Sequence, residues 1–420
     1  MSPASARPQP SPRAVALAGL VALAVAMGIG RFAFTPILPM MLHDGIVDLS
    51  MASWLASANY VGYLAGAMLC TVAPWLGRQL PGSWPSPATR IQGGLAATAI
   101  LTLAMALPLP ATWPLWRFAA GVASAVVLVY TTGWCLARLA TQGRSSLGGV
   151  IFAGPGAGIV VSGLLAGALV AADRRADLAW IVFGILAAVL SASVWPIFGV
   201  RPDPAPTTDG AGAAATGPRP LDRTAGGAIE TACFSLAYGL AGFGYIVTAT
   251  FLPVIARSAL PGSSALDLFW PIFGAGAFAG ALLSTRLRVS GDLRRLLAAA
   301  YVVQAVGISL GLVFTNEAGF ALGSLLLGLP FTTITFFAMQ EARRLRPLGA
   351  ASTIGLLTAT YGVGQIVGPP MVSALLGRSA DAGAGFRLSL AIAATALLAG
   401  AGLYLLMRRL WPAAAARTAR

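Results

Sequence analysis

Twelve apolar runs, each long enough to cross a lipid bilayer, follow one another along this chain and leave few folds open to it. A helix crossing the ~30 Å hydrocarbon layer needs about 20 apolar residues at 1.5 Å per residue. Breaking the sequence at charges and at Pro/Gly clusters predicts spans at 14–41, 51–76, 91–109, 113–136, 146–171, 178–198, 227–255, 266–285, 295–315, 318–339, 350–376 and 385–407. Composition agrees. Charged residues make up 10% and apolar residues 57%, against roughly 25% charged in a soluble domain. Such a chain cannot clothe a water-exposed surface in polar groups. The expected class is an all-α integral membrane protein.

Arg13 followed by Ala14–Met27 has the look of a signal peptide. The apolar run continues past Gly28 to Leu42, too long for such a segment, so an uncleaved first span is expected.

The formal net charge of +14 would suggest nucleic acid in a soluble chain. Here the 27 basic residues, all arginine, sit in short segments between apolar runs and read as a topology signal, with no nucleic-acid partner. With the N-terminus inside, twenty arginines fall in inside segments. Five fall outside, namely Arg174, Arg175, Arg257, Arg378 and Arg387. Both termini are therefore expected in the cytoplasm. The expected organisation is a cytoplasmic tail (1–13), a six-helix bundle (14–200), a linker (201–226), a second six-helix bundle (227–407) and a cytoplasmic tail (408–420). The linker is rich in Pro, Gly, Ala and Thr and cannot bury a core.

An internal repeat supports the six-plus-six division. Gly28-Ile-Gly30-Arg31 with Leu38-Pro39 matches Gly242-Phe-Gly244-Tyr245 with Leu252-Pro253, offset by 214 residues. Gly62 and Gly66 match Gly276 and Gly280, and Gly154-Pro155 matches Gly368-Pro369, at the same offset. An even number of spans separates the copies, so they share an orientation, related by a pseudo-twofold axis along the membrane normal. The Gly-xxx-Gly pairs let helix backbones approach. The Gly-Pro pairs can bend a span. All eight residues are candidate conformational positions.

These features resemble the major facilitator superfamily over nearly the whole chain. Arg117-xxx-Gly121-xxx-Ala125 is similar to that family's fourth-helix Arg motif. Gly154-Pro155-Gly156-Ala157-Gly158 is similar to its fifth-helix Gly-Pro motif, common in proton-driven exporters. Gly28–Pro36, Trp54–Tyr60 and Gly242–Tyr245 together resemble the YbfB/YjiJ subgroup. The resemblance implies the major facilitator fold, alternating access, a bacterial inner-membrane location, a monomer and possible proton coupling. One departure stands out. The loop between the second and third spans keeps Gly77 and Arg78 but has no Asp, which puts the superfamily's cytoplasmic charge latch in doubt.

A charged group within a span is a site hypothesis by default. Arg31 and Arg117 are the two such groups, and both are expected in the outer half of their spans, lining one electropositive cavity. They would orient an anionic substrate group. Trp113 and Trp116 look like interfacial anchors. Polar stripes at helical spacing add Asn59 with Tyr63, Tyr238 with Tyr245 and Thr248, and Thr358 with Tyr361 and Gln365, besides Gln304. Helices 1, 4, 7 and 10 face the superfamily's cavity, which favours Tyr238 and Tyr245 over Asn59 and Gln365.

All thirteen acids fall in loops or span ends, so no mid-span carboxylate is available for proton coupling. The single histidine, His43, lies in an outside loop, and no metal-ligand, nucleophile or nucleotide motif is present. The three cysteines read as small buried hydrophobes. The expected function is a secondary transporter of a small anionic organic solute, with no cofactor and no enzymatic activity. Export of amphipathic drugs driven by protons is the alternative, and a membrane receptor a more distant one.

Overall fold

The computed structural model describes residues 9–79, 85–199, 227–287, 291–346, 350–379 and 381–412. The expected linker, both tail ends and most of the loop between the second and third spans lie outside them. Twelve long helical segments make up the described chain. They are α1 (Pro12–His43), α2 (Leu49–Gln79), α3 (Pro87–Ala104), α4 (Trp113–Thr141), α5 (Gly148–Ala171), α6 (Ala176–Phe198), α7 (Gly227–Ala259), α8 (Phe269–Arg286), α9 (Arg294–Val313), α10 (Glu317–Leu345), α11 (Ala350–Leu376) and α12 (Ala382–Leu410). Ten of these regions are apolar enough to cross a membrane by length and composition. α3 falls short because Arg90, Gln92 and three threonines share its 18 residues. α11 carries Thr358, Thr360, Tyr361, Gln365 and two prolines.

Local chemistry sets many helix starts. Ser11 caps α1 by accepting from Ala14 N, with Pro12 in the first turn, and Ser86 with Pro87 does the same for α3. Asn316 and Asp381 cap α10 and α12. α10 runs past the expected end at residue 339 to Leu345, which brings Glu341 and Arg344 into its last turns.

The packing of the halves obeys the repeat. α2 packs on α4 as α8 packs on α10, α3 on α6 as α9 on α12, and α1 on α5 as α7 on α11. Two lateral seams, α2 with α11 and α5 with α8, join the halves and exchange under the same twofold operation. α1 and α7 bury 83% and 78% of their most apolar stretches, against 33% for α6, so the first pair forms the centre of the bundle. Side chains such as Leu115, Val189, Ile229 and Val313 stay exposed on the outside, an apolar belt suited to lipid.

One sequence correspondence does not hold. The Gly62/Gly66 pair rests on the α4 carbonyls Phe118 O and Val122 O, and Gly276/Gly280 rests on the α10 carbonyls Leu325 O and Leu329 O, as the repeat requires. The Gly-Pro pairs, however, are not packing equivalents. Gly158 rests on Ala24 and Gly28 of α1, whereas the glycine that rests on the corresponding stretch of α7, against Gly239 and Gly242, is Gly364. The cause is a length difference earlier in the chain. α2 runs on to Gln79, whereas α8 ends at Arg286, the counterpart of Val72. The copies therefore slip by about two helical turns after the second span. The two pairs also act differently on their helices. Gly154-Pro155 restarts α5 after an interruption at Phe152–Ala153, while α11 stays helical through Gly368-Pro369.

A charge network closes the end of the second half that holds the start of α7. Arg294, fully buried, meets Glu230 at 3.1 Å, Asp292 at 2.9 Å and Glu341 at 3.6 Å. It also donates to Met407 O and Trp411 O. Arg344 and Arg408 complete a balanced set of three cations and three carboxylates. Burial alone would raise the Asp292 carboxyl, but its hydrogen bonds from Arg294 outweigh that and hold it below the usual carboxylate range.

Candidate functional site

The site begins with an irregularity in α1. Residues Ala24–Ile29 form a π-helical turn, with Gly30 N bonding Val25 O and Phe32 N bonding Met27 O. Gly28 allows this stretch to lie directly on Gly158 of α5, where any Cβ would overlap backbone. Past the widened turn, Thr35 N bonds Phe32 O rather than Arg31 O. The carbonyls of Gly30 and Arg31 are instead satisfied by Arg117 of α4, whose Nη1 and Nη2 each donate over 3.2 Å. Irregular backbone is tolerated at membrane depth only when protein groups satisfy it in this way. The Arg117 guanidinium also lies 4.9 Å from the Phe34 ring centroid. Asn59 of α2 donates to Arg117 O at 2.9 Å and so fixes the α4 backbone at this level.

With its carbonyl held, Arg31 turns its side chain toward the junction of the halves. Its Nη2 donates to Gln365 Oε1 of α11 at 2.6 Å, and the Gln365 amide nitrogen donates to the Tyr245 hydroxyl of α7. The guanidinium lies 4.1 Å from the Tyr63 ring centroid, 5.1 Å from Tyr60 and 5.3 Å from Phe32. It is 3% exposed, and its Nε has no partner. Among the described residues, no ion pair involves Arg31 or Arg117. A buried cation therefore rests on neutral ligands alone, an arrangement open to an anion.

Aromatic rings enclose the remaining side. Tyr245 contacts Phe331 at 5.0 Å, and Phe331 contacts Phe32 at 5.9 Å, returning to the neighbour of Arg31. Tyr245 stacks on Tyr361 at 5.7 Å, and Tyr361 meets Tyr238 at 4.8 Å, extending a row of rings toward the start of α7. Tyr238 donates to Thr335 Oγ1 at 3.1 Å.

The expected site residues thus divide. Arg31, Tyr245 and Gln365 meet directly. Tyr238 joins them through Tyr361, while Arg117 and Asn59 lie behind Arg31 and act on backbone. Gln304 is elsewhere, bonding Leu327 O within the second half. Trp113, expected at an interface, is buried and donates to Leu107 O. Phe331 and the π-helical turn were not anticipated. Phe331 is one phenylalanine among many, and a π turn has no residue signature.

The halves differ at the position of Arg117. Gly121 packs on Asn59 O and Tyr63 N, and Gly328 packs on Phe273 O and Ala277 N, the corresponding atoms of α8. The counterpart of Arg117 is therefore Ser324. A cavity of about 20 Å³ lies there, lined by Thr248 and Ser324, whose hydroxyls lack partners. α7 beside it is an unbroken helix.

Four hydrogen bonds among the described residues link α1 or α2 to α7 or α11. They are Arg31–Gln365, Thr35 to Ala249 O, Ser57 to Ile366 O and Tyr60–Thr250. All lie at the level of Arg31 or toward the face opposite the start of α1.

Two solved structures share this architecture. The nucleoside transporter NupG superposes with a TM-score of 0.70 at 14% identity, covering 94% of this chain and 99% of its own. A bacterial homologue of the human lysosomal transporter Spinster, in an inward-facing, unoccupied conformation, gives 0.68 at 15% identity, with 96% and 98% covered. Likeness at this identity establishes the fold. No curated protein matches the sequence. Residues 23–405 match the family described as "Uncharacterised MFS-type transporter YbfB". The chain is a multi-pass membrane transporter of the secondary class, not an enzyme, and it belongs to this YbfB-type family of the major facilitator superfamily.

Proposed function

We propose that the chain carries a small organic anion by alternating access, with Arg31 as the group that receives the negative charge. The observation that supports this reading is a nearly fully buried guanidinium at the junction of the halves, ligated by an amide oxygen and ring faces and by no carboxylate. Arg31 can present Nη and Nε to a carboxylate, sulfonate or phosphonate. The rings of Tyr245, Tyr361 and Phe331 would cover an apolar or aromatic body. Arg117 serves as a positioning residue, holding the α1 carbonyls that aim Arg31. The excess of arginine in the segments assigned inside supports an orientation with both termini in the cytoplasm, and the family resemblance supports a bacterial inner-membrane location and a monomer. With that orientation, the four bonds between the halves lie on the external side.

The test is ligand-induced thermal shift on the purified protein. A ligand of the folded state raises Tm with its concentration. Benzenesulfonate, phenylphosphonate and gluconate should include at least one stabilising anion, and Arg31→Ala should abolish that stabilisation. Stabilisation by benzyltrimethylammonium, unchanged in Arg31→Ala, would replace this reading with export of amphipathic cations.

A further inference from the structure

We infer that the transporter is an obligatory anion exchanger, in which each anion carried one way is matched by one carried back. The inference rests on the reading of Arg31 as the anion site and adds the coupling of the cycle.

The Arg31 charge needs a partner at every stage of the cycle. In the structure it is held by Gln365 Oε1 and by the faces of Tyr63, Tyr60 and Phe32. Gln365 belongs to α11 of the other half, whereas the three rings travel with α1 and α2. Rocking the halves apart on this side breaks Arg31–Gln365 together with Thr35–Ala249, Ser57–Ile366 and Tyr60–Thr250. Three of those bonds are neutral and can be remade to water. The fourth takes from Arg31 the one hydrogen-bonding ligand that the other half supplies, leaving it only Tyr63 and the rings of its own half, and weakening the ligation of a buried charge costs more than losing a neutral bond.

Arg117 makes no such demand. Its partners Gly30 O, Arg31 O and the Phe34 ring all lie on α1, in its own half, so they move with it. One charge, that of Arg31, needs a new partner at the switch.

A proton-coupled carrier can meet this need with a carboxylate that pairs with the cation while the site is empty. No described carboxylate is placed to do so. Glu230, Asp292 and Glu341 serve the Arg294 network, Asp267 pairs with Arg257, Glu317 accepts from Ser263 and Asp44 accepts from Ala176 N. The remaining described acids lie at helix starts and turns. The transported anion is then the group that satisfies Arg31 in both directions of the cycle.

The experiment uses full-length protein in proteoliposomes and whichever of benzenesulfonate, phenylphosphonate or gluconate stabilises it. Entry of the radiolabelled anion is compared between vesicles preloaded with the unlabelled anion and vesicles without it, with membrane potential clamped. Preloading should speed entry at least about tenfold, and an inward proton gradient should leave entry into unloaded vesicles unchanged. Gln365→Glu places a carboxylate beside Arg31. It should remove most of the preloading requirement and make entry into unloaded vesicles faster at acid pH. Equal entry into loaded and unloaded wild-type vesicles, or wild-type entry driven by the proton gradient, overturns the exchange inference while leaving the anion site standing. If no anion stabilises the protein, the anion site fails and the exchange inference falls with it. The wild-type comparison decides the matter even where Gln365→Glu does not fold.

Discussion

Arg31 and Tyr245, which occupy the same position in the two repeats, are held by a single side chain: Gln365 accepts from the guanidinium and donates to the phenol. Replacing Gln365 with Leu leaves a buried cation and a buried hydroxyl without that partner. A hydrogen bond to a charged group contributes about 1.5–3 kcal/mol. Gln365→Leu should therefore lower Tm by a few degrees, and Gln365→Glu should lower it less. Differential scanning fluorimetry in detergent measures both. A Gln365→Leu protein as stable as wild type would mean that the bond contributes nothing in the ligand-free state.

Arg117 should act through geometry rather than charge. Its two terminal nitrogens serve two carbonyls, which a lysine ammonium at the same place cannot reach together. Arg117→Lys and Arg117→Ala should both destabilise, by about 1–2 and 2–4 kcal/mol respectively. Both should weaken anion binding less than Arg31→Ala does. Loss of binding by Arg117→Lys as complete as by Arg31→Ala, without a fall in Tm, would make Arg117 a ligand instead.

Glycines along the helix seams should differ sharply in tolerance. A Cβ on Gly121 would overlap Asn59 O, and one on Gly280 would overlap Leu329 O. Alanine there forces helix backbones apart at a cost of about 1–3 kcal/mol or more. Gly93 and Gly402 lie in α3 and α12 with open space around them. Alanine at either should be neutral or stabilise by up to about 1 kcal/mol. Melting curves and yields of the four variants test the contrast.

The Arg294 network should give an acid limit to stability. The folded-state pKa of Asp292 is depressed by Arg294, so its contribution is complete above the ordinary carboxylate pKa of about 3.9 and is lost as pH falls through the lower folded value. Tm measured from pH 7 downward should fall below about pH 4 in the wild type and fall less in Asp292→Asn. Glu341→Gln leaves Arg294 under-compensated while fully buried and should cost about 3–5 kcal/mol at neutral pH.

The fold was legible because membrane crossing writes itself into long runs, and α1 through α12 follow those runs within a few residues at most ends. The repeat was legible where glycine meets backbone, as at Gly62 and Gly276. It misled at Gly154 and Gly368, since an eye searching at one fixed offset cannot see a helix that has grown by two turns. Arg31 stood out because charge in a span is rare. Its partners did not, because Gln365 and Tyr245 are polar residues in spans that hold others. Nothing in their spacing separates a ligand from a residue such as Gln304, which bonds a carbonyl in its own half. The network around Arg294 escaped because each of its members lies at a helix end, where charge is unremarkable until the ends are gathered in space.

The π-helical turn in α1 makes the numbering of that helix part of its mechanism. A five-residue hydrogen-bond step absorbs one residue more than an α-helical turn. Deleting any one residue within Ala24–Ile29 could therefore restore a regular helix without cutting the membrane span short. Because the widened turn absorbs the extra residue, the helix on either side would keep its phase, and the deletion would change the turn itself and the backbone bonds beside it. The carbonyls of Gly30 and Arg31 would return to the helix ladder, and Arg117 would lose the two acceptors that now hold it. Point substitutions that keep the count test the chemistry of this segment. A single-codon deletion tests the widened turn itself, and a chain that survives one should insert and fold with Arg117 left as a buried cation without its acceptors.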